Sequence, residues 1–337
     1  MNEKNTKNSS REQITTENTS FSAIIDRADH LQKMCSDHYI ENVSRYMKMN
    51  DLGRLQFESG NTIRTMPMTP WSLYQLGDKT GIPSSYLEKC ISNGYPELAA
   101  QNVNTWLGRK DTGMIVRVCD NHVRGLVSEK YTMLDTPDVL SRVFSVVPEK
   151  NWDIKGSYMS EERLHLRLVA KEDLGLGDPL FPSVFIDTSD VGRCALSIKF
   201  GIYRLVCTNG LIIPEAAMHF RIAHMGRSIF AMTDSLEGML ENLPVFMDNA
   251  KTLVQNAREK NISMVTEDDL KAVTGVLTKN LQAPISTADA ENIIDITKTK
   301  YLPTKWGLVN AITEYAQTKT LDTRIEYEKA AGRLLAA

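Results

Sequence analysis

Arg163-Leu-His-Leu-Arg-Leu-Val169 alternates between leucine and a basic side chain. A side-chain period of two belongs to an extended strand, so Leu164, Leu166 and Leu168 fall on one face and Arg163, His165 and Arg167 on the other. Half-exposed antiparallel strands have this pattern, which predicts a core face and a cationic stripe open to water. Residues 194–206 repeat it, with Leu196, Ile198, Phe200 and Ile202 inward and Ser197, Lys199 and Tyr203 outward. Upstream, residues 152–158 return against 163–169 across a turn at 159–162. An earlier hairpin over 113–128 turns at Asp120-Asn121. A helix over 137–147 separates the two hairpins, and a Gly/Pro loop at 174–182 is too irregular to cradle a phosphate.

Helical signals flank this β-rich middle. Ile24, Ile25, Ala28, Leu31 and Met34 recur near helical spacing and predict a helix over about residues 21–50. Thr69-Pro70 starts a second helix and Gly81 stops it, and Pro83 opens a third that runs to about residue 92. The resulting helix-turn-helix unit has Leu73, Leu76, Ile82, Tyr86 and Leu87 at core positions and Ser84, Ser85, Glu88 and Lys89 outward. That unit serves either as scaffold or as a DNA reader, although its outward face carries one cation. From about Ser235 the pattern is helical to the end, with breaks at Pro284 and Pro303. Those helices are expected to cap the sheet or join subunits. The fold class is therefore α+β, a central antiparallel β-sheet with a helical N-terminal segment and a helical C-terminal region. Residues 1–20 read as a disordered tail, 21–100 as a helical N-terminal region, 101–232 as the β-rich core and 233–337 as the helical C-terminal region.

At 337 residues the chain can form one large or two ordinary domains. Its 42% hydrophobic and 24% charged content places it among globular chains, and no run of 18 apolar residues exists to span a bilayer. The polar first twenty residues lack the apolar stretch of a signal peptide. Cys35, Cys90, Cys119, Cys194 and Cys207 lie far apart in sequence and form no C-x-x-C pair. This predicts reduced thiols in a cytoplasm rather than a disulfide framework or a zinc finger. The net charge of −3 conceals an asymmetry: residues 191–230 carry Arg193, Lys199, Arg204, Arg221 and Arg227 against Glu215 alone. That segment is +4, and the rest of the chain is −7.

The candidate ligand follows from strand geometry. Side chains two apart on a strand project about 6–7 Å apart, near the phosphate spacing of an extended single strand. The candidate nucleic-acid-binding residues are Arg117, Arg124, Arg163, His165, Arg167, Lys199, Tyr203, Arg204, Arg221 and Arg227. Tyr131, Tyr158 and Tyr203 are the stacking candidates, each worth about 1–3 kcal/mol per base where it stacks. The competing reading makes these residues an ordinary polar strand face with satisfied tyrosines. Cys194, Cys207, His219 and His224 could be offered as a metal site, but the two histidines are five residues apart, which suits neither helix nor strand. Asp187 and Asp190 flank a turn, where aspartate is favoured. No nucleotide-binding, hydrolase or metalloprotease motif is present.

A set of residues then resembles a known family. They are Thr69-Pro70, Leu73, Gln75-Leu76, Gly81-Ile82-Pro83 and Tyr86-Leu87; Arg124-Gly125, Ser128 and Tyr131; Arg204-Leu-Val-Cys-Thr-Asn-Gly-Leu211; Arg221-Ile-Ala-His224; and Trp306-Gly-Leu308, Asn310-Ala311 and Gly332. Together they resemble the phage- and plasmid-like family built on the domain of unknown function 932, over roughly residues 65–335. The resemblance implies a mobile-element origin in a bacterial host cytoplasm and brings no activity, cofactor or catalytic residue with it. The order hairpin, helix, long hairpin, strand, helix across residues 113–230 is also similar to the core of the single-strand annealing superfamily, whose rings hold single-stranded DNA in a basic β-groove. By analogy of fold, this implies a non-enzymatic, oligomeric single-stranded DNA binder that needs no cofactor and no membrane. A helix-turn-helix regulator or a host-directed interaction protein is the alternative.

Overall fold

The computed structural model describes residues 14–16, 19–204, 209–212, 219–222 and 230–337. Strand β1 (Ile14–Thr16) and helix α1 (Phe21–Lys33) come first; Ser20 caps α1 by accepting from the Ala23 amide, and Phe21, Ile24 and Ala28 form its buried stripe. The helix expected to reach residue 50 stops at Lys33. Strand β2 (Cys35–Ile40), the one-turn helix α2 (Val43–Tyr46) and strand β3 (Met47–Met49) follow. In β3 Met47 and Met49 are buried on either side of exposed Lys48, a period of two within a stretch whose methionines read equally well as helix. Strands β4 (Leu55–Ser59) and β5 (Thr62–Met66) pair onto β3 as a small antiparallel sheet.

Thr69 caps helix α3 (Pro70–Thr80), with proline in the first turn and Gly81 at φ 72° ending it. Helices α4 (Ser84–Ser92) and α5 (Pro96–Leu107) pack beside it. The hairpin of β6 (Met114–Cys119) and β7 (His122–Ser128) turns through Asp120 and Asn121 at φ 45° and 60°. Both central residues need positive φ in the hairpin turn that matches strand twist, and Asp and Asn tolerate it best after glycine. β2 joins β6 to give the order β2-β6-β7. Ile40, Leu55, Leu76, Leu87, Val103 and Val116 fill the core of this N-terminal unit.

Helix α6 (Thr136–Val146) leads into the large sheet. Its strands are β8 (Trp152–Ile154), β9 (Ser157–Met159), β10 (Leu164–Ala170), β11 (Leu180–Thr188), β12 (Leu196–Arg204), β13 (Asn209–Ile212) and β14 (His219–Ile222), joined by β1 at the β9 edge. β10, β11 and β12 pair consecutively and antiparallel. β11 overlaps the expected Gly/Pro loop at residues 180–182 and continues through 183–188, which the sequence reading left without a strand. The ladder with β10 begins only at Ser183, so Pro182 lies where β11 has β12 alone beside it.

Helices α7 (Phe230–Glu241), α8 (Leu243–Glu259), α9 (Glu267–Gly275), α10 (Thr287–Lys300), α11 (Lys305–Ala316) and α12 (Leu321–Ala336) complete the chain, with one π turn (Val276–Asn280) after α9. Leu164, Leu166, Leu168, Ile186, Ile198 and Phe200 share one large core with Phe246 and Val254 of α8 and Ile312 of α11. Each such side chain contributes about 1.5–3 kcal/mol by leaving water, so this apolar face is the main source of the sheet's stability. The fold is α+β with antiparallel sheets and helices toward both ends. No helix among the described residues is long and apolar enough to cross a membrane.

Candidate functional site

Register places the polar side chains of the large sheet in rows. Tyr158, His165, Asp187, Ser197 and Arg221 lie opposite one another across β9, β10, β11, β12 and β14, and Arg167, Phe185 and Lys199 form the next row. Arg163, His165, Arg167, Lys199 and Arg221 therefore do share a face. That face is not the wet stripe expected of it: Arg163, His165 and Arg167 are 9%, 0% and 1% exposed. Helix α12 lies across it, placing Asp322, Ile325 and Glu328 at helical spacing against Arg163, Phe185 and Arg167. Alternation shows which residues share a face. It says nothing of a helix about 150 residues later that covers the face.

Burying cations beneath a helix costs several kcal/mol per ion unless each finds a counter-charge. Asp187 supplies the first, taking Arg163 Nη2 at 2.7 Å, His165 Nδ1 at 2.9 Å and Lys199 Nζ at 3.2 Å. Burial alone would raise the Asp187 pKa, but His165, Lys199 and Arg163 outweigh it and hold the carboxyl well below the usual range. Burial lowers the His165 pKa, opposed by the Asp187 carboxylate beside it. Arg167 donates through Nη2 to both Glu328 oxygens, at 2.9 and 3.1 Å, and its guanidinium lies 4.9 Å from the Phe185 ring and 5.7 Å from the Tyr203 ring. Asp322 bridges Arg163 and Arg193, and Arg193 also donates to Glu162.

Other candidates lie elsewhere, so the single cationic stripe must be corrected. Arg117 and Arg124, on β6 and β7 of the β2-β6-β7 sheet, are fully buried. Arg117 binds Asp37 and Asp135, each at 2.8 Å, and the Asp190 carbonyl; Arg124 donates to Asp190 at 3.3 Å and to the Glu161 carbonyl at 2.8 Å. The loop after β11 is gripped there, with Trp71 Nε1 and Gln75 Nε2 both donating to the Val191 carbonyl. Arg204 shares parity with Leu196 and Ile202, points to the apolar side and binds Asp178 at 3.2 Å. Tyr203 is buried, and Tyr131 donates its hydroxyl to the Ser189 carbonyl. Of the stacking candidates, Tyr158 alone borders the cleft described next. Arg227, Cys207 and His224 lie outside the described residues, and no metal-ligand cluster of three or more side chains occurs among the described ones.

Where α12 meets the sheet, a cavity of about 410 Å³ opens to solvent, lined by Arg163, Arg193, Lys199, Arg221 and Lys329 with Asp187, Asp322 and Glu326. A second cavity of about 320 Å³ shares Arg163, Arg193 and Asp322 and continues to Tyr158 and Leu321. Burial pushes the Cys194 thiol in the first cavity up to about 11. Arg193, Asp322 and Lys329 escaped the sequence reading, since a turn residue after Gly192 and two positions of a distant helix share no periodicity with the strands. The local +4 charge of residues 191–230, which includes Arg193, was the available signal. The helix-turn-helix unit is present as α3 and α4, with Ser85, Glu88 and Lys89 exposed. Its first helix is engaged as scaffold, Ser72 donating to the Val123 carbonyl of β7.

Residues 123–336, starting in β7, match a family model described as a domain of unknown function. No curated protein and no solved structure matches the chain. The similarity to single-strand annealing proteins, expected from element order, has no support in these comparisons.

Proposed function

We propose, for a chain that belongs to the DUF932 family, that it binds single-stranded DNA without chemistry of its own, in the cleft between the large sheet and the start of α12. One observation carries this reading: Arg163, Arg193, Lys199 and Arg221 converge on one cavity, where the Asp322 carboxylate bridges two arginines as a phosphate would. Bidentate arginine recognition suits carboxylate and phosphate alike. The adjoining cavity extends the cleft past one phosphate toward Tyr158, which offers a ring to a base. The deeper cations set the potential from within, while the solvent-reachable Arg193 and Arg221 make the contacts.

Fluorescence anisotropy with labelled oligo-dT at two salt concentrations tests the proposal. Affinity is expected to fall steeply with salt, log K dropping by about 0.7 per phosphate for each decade of salt. Arg193→Ala with Arg221→Ala should weaken binding at least tenfold and flatten that slope. No binding at low salt, or unchanged affinity in the double variant, overturns it. Preference for duplex together with dependence on Lys89 would favour the helix-turn-helix unit instead.

A further inference from the structure

Cys35 and Cys119 are 84 residues apart in sequence, and the fold sets them directly opposite each other on β2 and β6. Opposed residues of an antiparallel pair have Cα atoms about 4.5–5.5 Å apart, inside the roughly 4.4–6.8 Å that a disulfide spans. Their Sγ atoms are 2.8 Å apart, against about 2.05 Å for the covalent bond. Cys119 is buried while Cys35 is half-buried at the sheet edge, since among the described residues β2 has β6 on one side and no strand on the other. A diffusing oxidant therefore reaches Cys35 first and leaves Cys119 as the resolving thiol.

We propose that Cys35 and Cys119 form an oxidation site whose disulfide staples β2 to β6. With a small-molecule disulfide as oxidant, the Cys35 thiolate attacks one of its sulfurs, breaks its S–S bond and releases one small thiol. The Cys119 thiolate then attacks Cys35 Sγ and expels the second. Two protein S–H bonds become one S–S bond, and the oxidant's S–S bond becomes two S–H bonds, so two electrons and two protons pass to the oxidant.

The staple has a structural consequence. The chain running into β2 comes from α1, whose Phe21, Ile24 and Ala28 sit in the large core, while β6 belongs to the N-terminal unit. The bond would fix the crossing strand between the two cores and close a long loop, which favours stabilisation. The contact with Cys119 and burial raise the Cys35 pKa, so exchange is slow at neutral pH and accelerates as pH rises.

The full chain is incubated with glutathione disulfide at pH 8.5, or kept in dithiothreitol, then alkylated and digested with trypsin. The peptides 34–45 and 118–124 each hold one of these cysteines and no other. The expected product is the pair linked, two hydrogens lighter than their sum, with a melting temperature about 4–8 °C above that of the reduced chain. Cys35→Ser should abolish both changes, whereas Cys90→Ser should keep them. Full alkylation of both cysteines after oxidation, linkage to other cysteines, or a Cys35→Ser chain that keeps the shift would each overturn the site.

Discussion

Two clusters of this molecule are built from the same parts, a pair of buried arginines and a buried aspartate, yet they are electrostatic opposites. In the N-terminal cluster Arg117 and Arg124 face Asp190, Asp37 and Asp135, so acids outnumber cations. In the sheet cluster Arg163 and Lys199 converge on Asp187, and the further carboxylates arrive from α12 and, at the mouth of the cleft, from Glu162. The aspartates report the difference. Burial raises the Asp190 pKa and Asp135 adds to the rise, while Asp187 is driven down against burial by its cationic neighbours. A buried aspartate thus reads the sign of its surroundings. The first cluster is a closed clasp, and the second borders a cavity with positive charge to spare.

Breaking either cluster from inside has the largest expected effect. Arg117→Ala leaves two carboxylates facing each other, and Arg167→Ala leaves fully buried Glu328 with Arg324 as its remaining ion-pair partner. Each should cost about 3–5 kcal/mol, measured by urea denaturation. The clusters part company on rescue: Arg167→Met with Glu328→Leu removes a matched pair and should recover most of the loss. Arg117 serves two acids and a carbonyl and offers no such replacement. A loss under about 1 kcal/mol for Arg167→Ala would show that the sheet pair is not buried in solution. Next in size is Gly125→Ala, whose Cβ would meet Val191 Cβ and Cγ1 at 2.7 Å. Val191 is fixed by Trp71 and Gln75, so overpacking should cost about 1–3 kcal/mol.

Acidification sharpens the comparison further. Because burial lowers the His165 pKa below 6.5, the unfolded chain binds a proton that the native chain refuses. Stability therefore falls as pH drops below 6.5 toward the folded pKa, and half-buried His38, shifted the same way, adds to the fall. Asp187 contributes stability above 3.8 that is lost only in stronger acid. Asp190 acts in reverse, since its raised pKa makes ionisation unfavourable in the native state and acid relieves that cost. Urea-derived stabilities between pH 7.5 and 5 should decline in the native chain and decline less in His165→Gln. Identical slopes would remove His165 from the account.

What the sequence made legible follows the range of its signals. Period-two alternation located β10 and β12 and their inward leucines, and the caps at Thr69 and Gly81 placed α3 to the residue. Asp120-Asn121 marked its hairpin because positive φ is a local demand. Strand β11 escaped because its first three residues fall in the Gly/Pro loop reading and the rest, buried on both faces, show no alternation to mark them. The cover over the basic face was out of reach for a related reason. Asp322 and Glu328 look like ordinary helix charges, and their targets lie 159 and 161 residues away. Pairing at that distance leaves no periodic trace, so alternation put Arg163, His165, Arg167 and Lys199 on one face without showing that α12 covers it, and Arg117, Arg124 and Arg204 were grouped with a face they do not share.

The smallest stability effect belongs to the residue that matters most for the proposed ligand. Arg193 is 34% exposed, and its partners Glu162 and Asp322 sit at the mouth of the cleft rather than beneath it. Its guanidinium also rests 5.2 Å from the Trp71 ring, a contact worth about 0.5–1 kcal/mol at an exposed site. Ion pairs at this exposure contribute about 0–1 kcal/mol, so Arg193→Ala should leave the urea midpoint nearly unchanged. Trp71→Leu should cost more, since it also removes the indole hydrogen bond to Val191. If Arg193→Ala instead destabilised the fold as much as Arg117→Ala, the cleft would be a second closed clasp and its positive charge structural.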